Sequence, residues 1–70
     1  MMVEVFKTNV KKINEARKIV NELHQFFPGS KINFDLQDRD KVLRIDGYNN
    51  ISSEVINALT SKGFVCEELE

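Results

Sequence analysis

Apolar residues alternate over residues 2–7, 32–36, 42–46 and 64–67, and they recur at helical spacing over 13–27 and 55–59. The resulting order is strand, helix, strand, strand, helix, strand. It predicts an α+β fold, a ferredoxin-like βαββαβ sandwich with a four-stranded antiparallel sheet and two helices on one face. These elements consume the chain, so residues 1–70 form a single domain with no room for a second core.

Each element has its own signal. In Met2-Val3-Glu4-Val5-Phe6-Lys7 the alternation sets Val3 and Val5 on one side and Glu4 and Phe6 on the other. Thr8 or Asn9 offers a side-chain oxygen to cap a helix running from Val10 to Phe27. Ile13, Ala16, Val20, Leu23 and Phe27 form its core stripe, with Ile19 and Phe26 to one side. Pro28-Gly29 ends it, because Pro cannot continue a helix and Gly accepts a left-handed exit.

Ile32, Phe34 and Leu36 then alternate with Asn33 and Asp35, and the polar stretch 37–41 makes a hairpin connection to Val42-Leu43-Arg44-Ile45-Asp46. Ser52 or Ser53 caps a second helix that buries Val55, Ile56 and Leu59 and stops at Gly63. Phe64-Val65-Cys66-Glu67 is the last strand, and the acidic end Glu67-Glu68-Leu69-Glu70 keeps its edge soluble. On this register the open sheet face shows Glu4, Phe6, Asn33, Asp35, Val42, Arg44, Asp46, Val65 and Glu67.

Composition narrows the function classes. Ten basic and eleven acidic residues leave a net charge of −1, less basic than a nucleic-acid module or anionic-membrane binder requires. The charge is uneven: residues 1–31 carry six bases and three acids, and residues 32–70 four bases and eight acids. A single Cys excludes an internal disulfide framework and fits a reducing compartment. No signal peptide follows Met1-Met2 and no run reaches membrane-span length, so the expectation is a soluble, cytoplasmic protein.

The element order, the hairpin strand Leu43-Arg44-Ile45-Asp46-Gly47 and the helix exit Lys62-Gly63-Phe64 resemble the heavy-metal-associated (HMA) domain, the family of copper chaperones and of the amino-terminal modules of metal-transporting ATPases. The resemblance spans essentially the whole chain and rests on pattern. Its signature is a Met-x-Cys-x-x-Cys loop between the first strand and first helix, where two thiolates clamp Cu(I) or Zn(II). The corresponding segment here is Lys7-Thr8-Asn9-Val10-Lys11-Lys12-Ile13, with Val10 and Ile13 in the places of the two cysteines. Neither side chain ligates a metal. The resemblance also places Lys62 in a loop that approaches this segment, so that it joins Lys7, Lys11 and Lys12 in a basic patch.

Other chemistries find little support. Cys66 alternates with Phe64 and reads as a small core residue, and His24 on the shoulder of the helix stripe reads as boundary packing. Met1 and Met2 are weak soft-metal donors at a terminus. Asp35, Asp38 and Asp40 lack the spacing and glycine of a calcium loop and read as a charged hairpin tip. One aromatic among several acids is a poor platform for stacking bases. Lys7-Thr8-Asn9-Val10 lacks the glycines and arginine of an acylphosphatase-like anion cradle. No nucleophile, base and orienting group are grouped in the sequence.

The expectation is therefore a non-catalytic interaction or regulatory module of HMA-like fold, without catalytic residues, cofactor or metal ligands of its own. Its contact surface is the loop and first turn around Lys7, Thr8, Asn9, Lys11 and Lys12 with Lys62, or the open sheet face. The expected partner is a protein of acidic character, with no nucleic acid and no membrane, and a weak homodimer through a sheet edge is compatible with the fold. The alternative is residual copper or zinc binding of a metal-chaperone kind, through Cys66, His24 or a partner's ligands.

Overall fold

The structure, a computed structural model, describes residues 2–69. Met1 and Glu70 lie outside the described residues. The element order is β1 (Met2–Thr8), α1 (Ile13–Phe26), β2 (Lys31–Asp35), β3 (Val42–Gly47), α2 (Ser52–Thr60) and β4 (Cys66–Leu69). All strand pairs are antiparallel and the sheet order is β2-β3-β1-β4. The predicted ferredoxin-like βαββαβ sandwich is the observed fold.

Both helices cover one face. Phe6, Val10, Leu43, Val55 and Leu59 are completely buried, and Ile19, Leu23 and Ile45 nearly so. The β1–β3 register sets Phe6 against Leu43 and Glu4 against Ile45, and the β1–β4 register sets Thr8 against Cys66. Residues directly opposite in an antiparallel pair point to the same face, so Glu4, Phe6 and Thr8 all point at the helices.

This overturns the predicted orientation of β1. Val3 and Val5 lie on the outer face, where Val3 is exposed, while Glu4 and Phe6 are in the core. A one-residue change of phase moves every side chain to the other face. Two valines against one phenylalanine and a carboxylate suggest the opposite phase. Phe6 wins because its ring fills the centre of the sandwich, and because each polar residue beside it makes at least one hydrogen bond there. Glu4 Oε1 accepts a hydrogen bond from the Ile51 amide at 3.0 Å. The Thr8 hydroxyl donates to the Lys41 carbonyl at 2.6 Å and accepts from the Val10 amide at 3.2 Å.

Helix α1 starts later than its apolar pattern. Val10 is buried but sits in the loop, and the helix begins at Ile13 with Lys12 at the N-cap and no side-chain cap bond. Thr8 and Asn9, expected as caps, bond elsewhere. The buried stripe is Ala16, Ile19 and Leu23, turned toward Ile19, which leaves Val20 and Phe27 half-buried and Ile13 and Phe26 exposed. Gly29 has no left-handed backbone, so Pro28 supplies the stop there.

Gly63 does adopt the left-handed region, with φ +90°. The Phe64 amide bonds back to Leu59 O at 3.1 Å and the Gly63 amide to Thr60 O at 3.0 Å, the paired closure that a glycine at this position permits. This closure consumes residues 63–64, which is why β4 begins at Cys66 rather than Phe64. At the start of α2 the cap is also displaced: Asn50 Oδ1 accepts from the Ser52 amide at 3.1 Å, and Ile51 holds the N-cap position.

Candidate functional site

The end of the sandwich where β1 enters α1 carries most of the predicted contact residues. Three segments meet there. The hairpin after β2 is shaped by its own acids: Asp35 Oδ1 accepts from the amides of Gln37 and Asp38, both at 3.2 Å, and Asp38 Oδ1 accepts from Asp40 N at 2.8 Å. The acidic tip is thus a set of turn-forming side chains. Asp40 O accepts from Thr8 N at 3.0 Å, tying the hairpin to the end of β1. On the other side Asn9 Oδ1 accepts from Val65 N at 2.8 Å, which draws the loop after α2 toward the β1–α1 loop.

The predicted patch divides on this frame. Lys11 and Lys12 are exposed, and among the described residues neither belongs to an ion pair. Asn9 is exposed although its amide oxygen is used. Thr8 is only 5% exposed and its hydroxyl is engaged at both ends, so it builds the loop from inside and is no contact residue. Lys7 projects from the outer sheet face, opposite Glu67 in the β1–β4 pair. Lys62 pairs with Glu22 of α1, so its ammonium belongs to the helix–helix side of the molecule. Sequence reasoning missed Ile13, which is 62% exposed beside these residues, and placed Val65 on the open sheet face, whereas it is 54% exposed in the loop before β4. Ile13 was assigned to the core stripe, and only the late start of α1 puts it outside.

The donor set at this end does not fit a soft metal ion. Val10 is completely buried and Ile13 exposed, and neither has a lone pair to offer. Cys66 is 8% exposed in β4, and burial pushes its thiol from the ordinary 9.0 to about 11, away from the thiolate that ligation requires. His24 is exposed on α1, with Nε2 3.2 Å from the Ser30 carbonyl oxygen. Among the described residues no group of three or more His, Cys, Asp or Glu side chains is placed to hold a metal ion. No helix among them is long and apolar enough to cross a membrane.

The outer sheet face differs from the expected one. Val3, Val5 and Lys7 of β1 replace Glu4 and Phe6 there, beside Asn33, Asp35, Val42, Arg44, Asp46, Glu67 and Leu69. The strands contribute no aromatic ring to this face, and Arg44 lies 3.4 Å from Asp46 along its own strand.

The topology and the helix placement define a ferredoxin-like βαββαβ domain, and its sequence lacks a Met-x-Cys-x-x-Cys motif. No protein-family model matches the chain, and no curated protein matches it. Among solved structures it is similar to the solution structure of the N-terminal domain of ZntA in the apo-form, at 22% identity and a TM-score of 0.74. It is similar also to the Zn(II)-form of that domain, at 20% identity and a TM-score of 0.79. Each likeness covers 97% of this chain and 92% of the ZntA domain. At these identities the likeness establishes the fold.

Proposed function

We propose that this chain is a non-catalytic interaction module that docks an acidic protein partner on the end of the sandwich formed by Asn9, Lys11, Lys12 and Ile13. The observation that carries the proposal is the placement of Lys11 and Lys12. Both are exposed and unpaired among the described residues, at the N-terminal end of a 14-residue helix. The helix dipole disfavours positive charge there, and Lys12 supplies no side-chain cap. Two lysines that cost the helix stability are accounted for by a ligand that needs them. Exposed Ile13 beside them adds an apolar anchor. The absence of rings from the outer strand face supports a protein rather than a nucleic acid as partner. The lack of a grouped nucleophile and base supports a binding role over an enzymatic one.

A ¹⁵N-HSQC titration with an oligo-glutamate peptide tests this directly. Saturable shifts are expected over residues 9–13, strongest at low salt, and absent from the Lys11→Glu, Lys12→Glu double variant. Equal shifts in that variant, or none in the native protein, would sink the proposal.

A second reading is soft-metal handling, favoured by the fold shared with a ZntA domain whose structure is described in a Zn(II)-form. Here the ligands would be a partner's, or Cys66 after a rearrangement that exposes it. Titration of the reduced protein with Zn(II) and Cu(I) separates the two readings. Stoichiometric shifts that vanish with Cys66→Ala favour metal, and silence at equimolar metal removes it.

A further inference from the structure

We propose that two copies of this chain pair through β2, forming one continuous antiparallel sheet across a two-fold axis at Asn33. The sheet order leaves β2 and β4 as the outer strands. The pairing of β2 with β3 runs unbroken from Lys31↔Asp46 to Asp35↔Val42, with no bulge and no proline. Among the described residues no loop or side chain bonds to the backbone of residues 31–35 on its outer side. Natural sheets blunt such an edge with proline, a bulge, a covering segment or charges that repel a second copy. This one has none of the first three, and its two charges, Lys31 and Asp35, are of opposite sign.

The sequence of β2 is complementary to itself. Antiparallel pairing about Asn33 sets Lys31 against Asp35 of the second copy, and Ile32 against its Phe34. The two-fold axis repeats both pairs. Lys31, Asn33 and Asp35 are exposed on the outer face, so each end of the seam carries an opposite-charge pair there. Ile32 and half-buried Phe34 lie on the helix face, so the same register joins apolar to apolar. A groove of about 630 Å³ runs between this edge and α1, walled by Val20, Phe34 and Leu36 with Arg17 at its side. A second copy's edge covers it.

The opposite edge lacks this property. Antiparallel pairing of β4 with itself keeps facing side chains on one face, so it centres on Glu67 or Glu68 and sets that acid against its own copy. The charges therefore select β2, and selecting one edge closes the assembly at two copies. The seam is only five residues long, so the association is a weak one.

Sedimentation velocity of the full chain, followed from micromolar to millimolar concentration, tests the inference. The expected result is a monomer–dimer equilibrium with no larger species. Lys31→Glu sets acid against Asp35 at both ends and is expected to weaken the dimer about tenfold or more, with Lys31→Gln intermediate. Glu68→Lys, on the other edge, leaves it unchanged. Asn33→Cys is expected to form an intermolecular disulfide on mild oxidation, since facing Cα atoms in such a pair lie within disulfide reach. The native protein, whose lone thiol is buried, forms none. A monomer at all concentrations overturns the proposal. So do species beyond dimer, which would mean β2 pairing with β4, or an unchanged dimer in Lys31→Glu.

Discussion

Two buried side chains, Glu4 in β1 and Cys66 in β4, show how single residues set the terms for this fold. Glu4 is 5% exposed, with one carboxylate oxygen on the Ile51 amide and the other, Oε2, without a partner among the described residues. It accepts from the amide of the α2 N-cap residue from 47 positions away, a bond that a glutamate three residues after the cap usually makes. Glu4→Ala leaves that amide buried and unpaired, and is expected to cost about 1–3 kcal/mol in urea unfolding. Glu4→Gln keeps the acceptor and should cost less. Equal losses would mean that the charge, not the hydrogen bond, is what α2 requires. Cys66 gives a pH signature. Its pKa is raised by burial from 9.0 to about 11, so the folded state holds its proton longer than the unfolded chain. Stability is intact below pH 9.0, falls as the pH rises toward about 11, and levels off beyond it. The loss assignable to Cys66 is at most about 3 kcal/mol. It is measured as the difference in the pH dependence of unfolding between the native protein and Cys66→Ala. Native alkylation by iodoacetamide at neutral pH should likewise be far slower than alkylation in urea.

At the scale of elements, the helix ends carry the testable chemistry. Lys12 is an N-cap with nothing to offer the free amides of α1. Lys12→Asp supplies both an acceptor and a charge of the favourable sign, and is expected to raise stability by about 1 kcal/mol. The double reversal of Lys11 and Lys12 to Glu should also stabilise the fold while abolishing docking of an acidic peptide. That opposition separates a functional lysine pair from an incidental one, and a destabilised double variant would remove the argument. At the other end of the helix pair, Gly63→Ala forces a side chain into φ +90° and should cost about 1 kcal/mol. The order and type of all six elements were legible in the periodicity, because each apolar run keeps one period and is bounded by polar or glycine-containing turns. The phase of β1 was not. In Val-Glu-Val-Phe either face can be read as apolar, and the choice was made by distant partners, the Ile51 amide and the Lys41 carbonyl, that no local pattern contains. The start of α1 was hidden for the same reason: Val10 continues the helical spacing but is buried from a loop that Thr8 pins to the hairpin. The candidate site was legible as a lysine-bearing loop, yet Ile13 and the Asn9–Val65 link depend on that late start and on the exit through Gly63.

The uneven charge of the sequence acquires a meaning only in the whole molecule. Divided at the hairpin, residues 1–36 hold six bases and four acids, and residues 37–70 hold four bases and seven acids. The sheet order β2-β3-β1-β4 alternates strands from the two halves, so each of the three strand pairs joins the basic half to the acidic one. The facing residues follow suit, with Lys31 opposite Asp46 and Lys7 opposite Glu67. Each exposed pair is worth only a few tenths of a kcal/mol, yet all favour the interleaved arrangement over two halves that each pack alone. Screening should therefore act against the fold. Raising the salt concentration from about 0.01 M to 0.5 M shortens the Debye length from roughly 30 Å to a few ångströms. It is expected to lower the stability of the native chain by up to about 1 kcal/mol, read as a shift of the urea midpoint at constant m-value. Sodium chloride suits the measurement, since a strongly excluded salt such as sulfate would strengthen apolar burial and mask the effect. Lys7→Gln should reduce the salt dependence without greatly changing the high-salt stability. A midpoint that rises steadily with sodium chloride would show that repulsion within each half outweighs attraction between them, and that the asymmetry has no part in bringing the halves together.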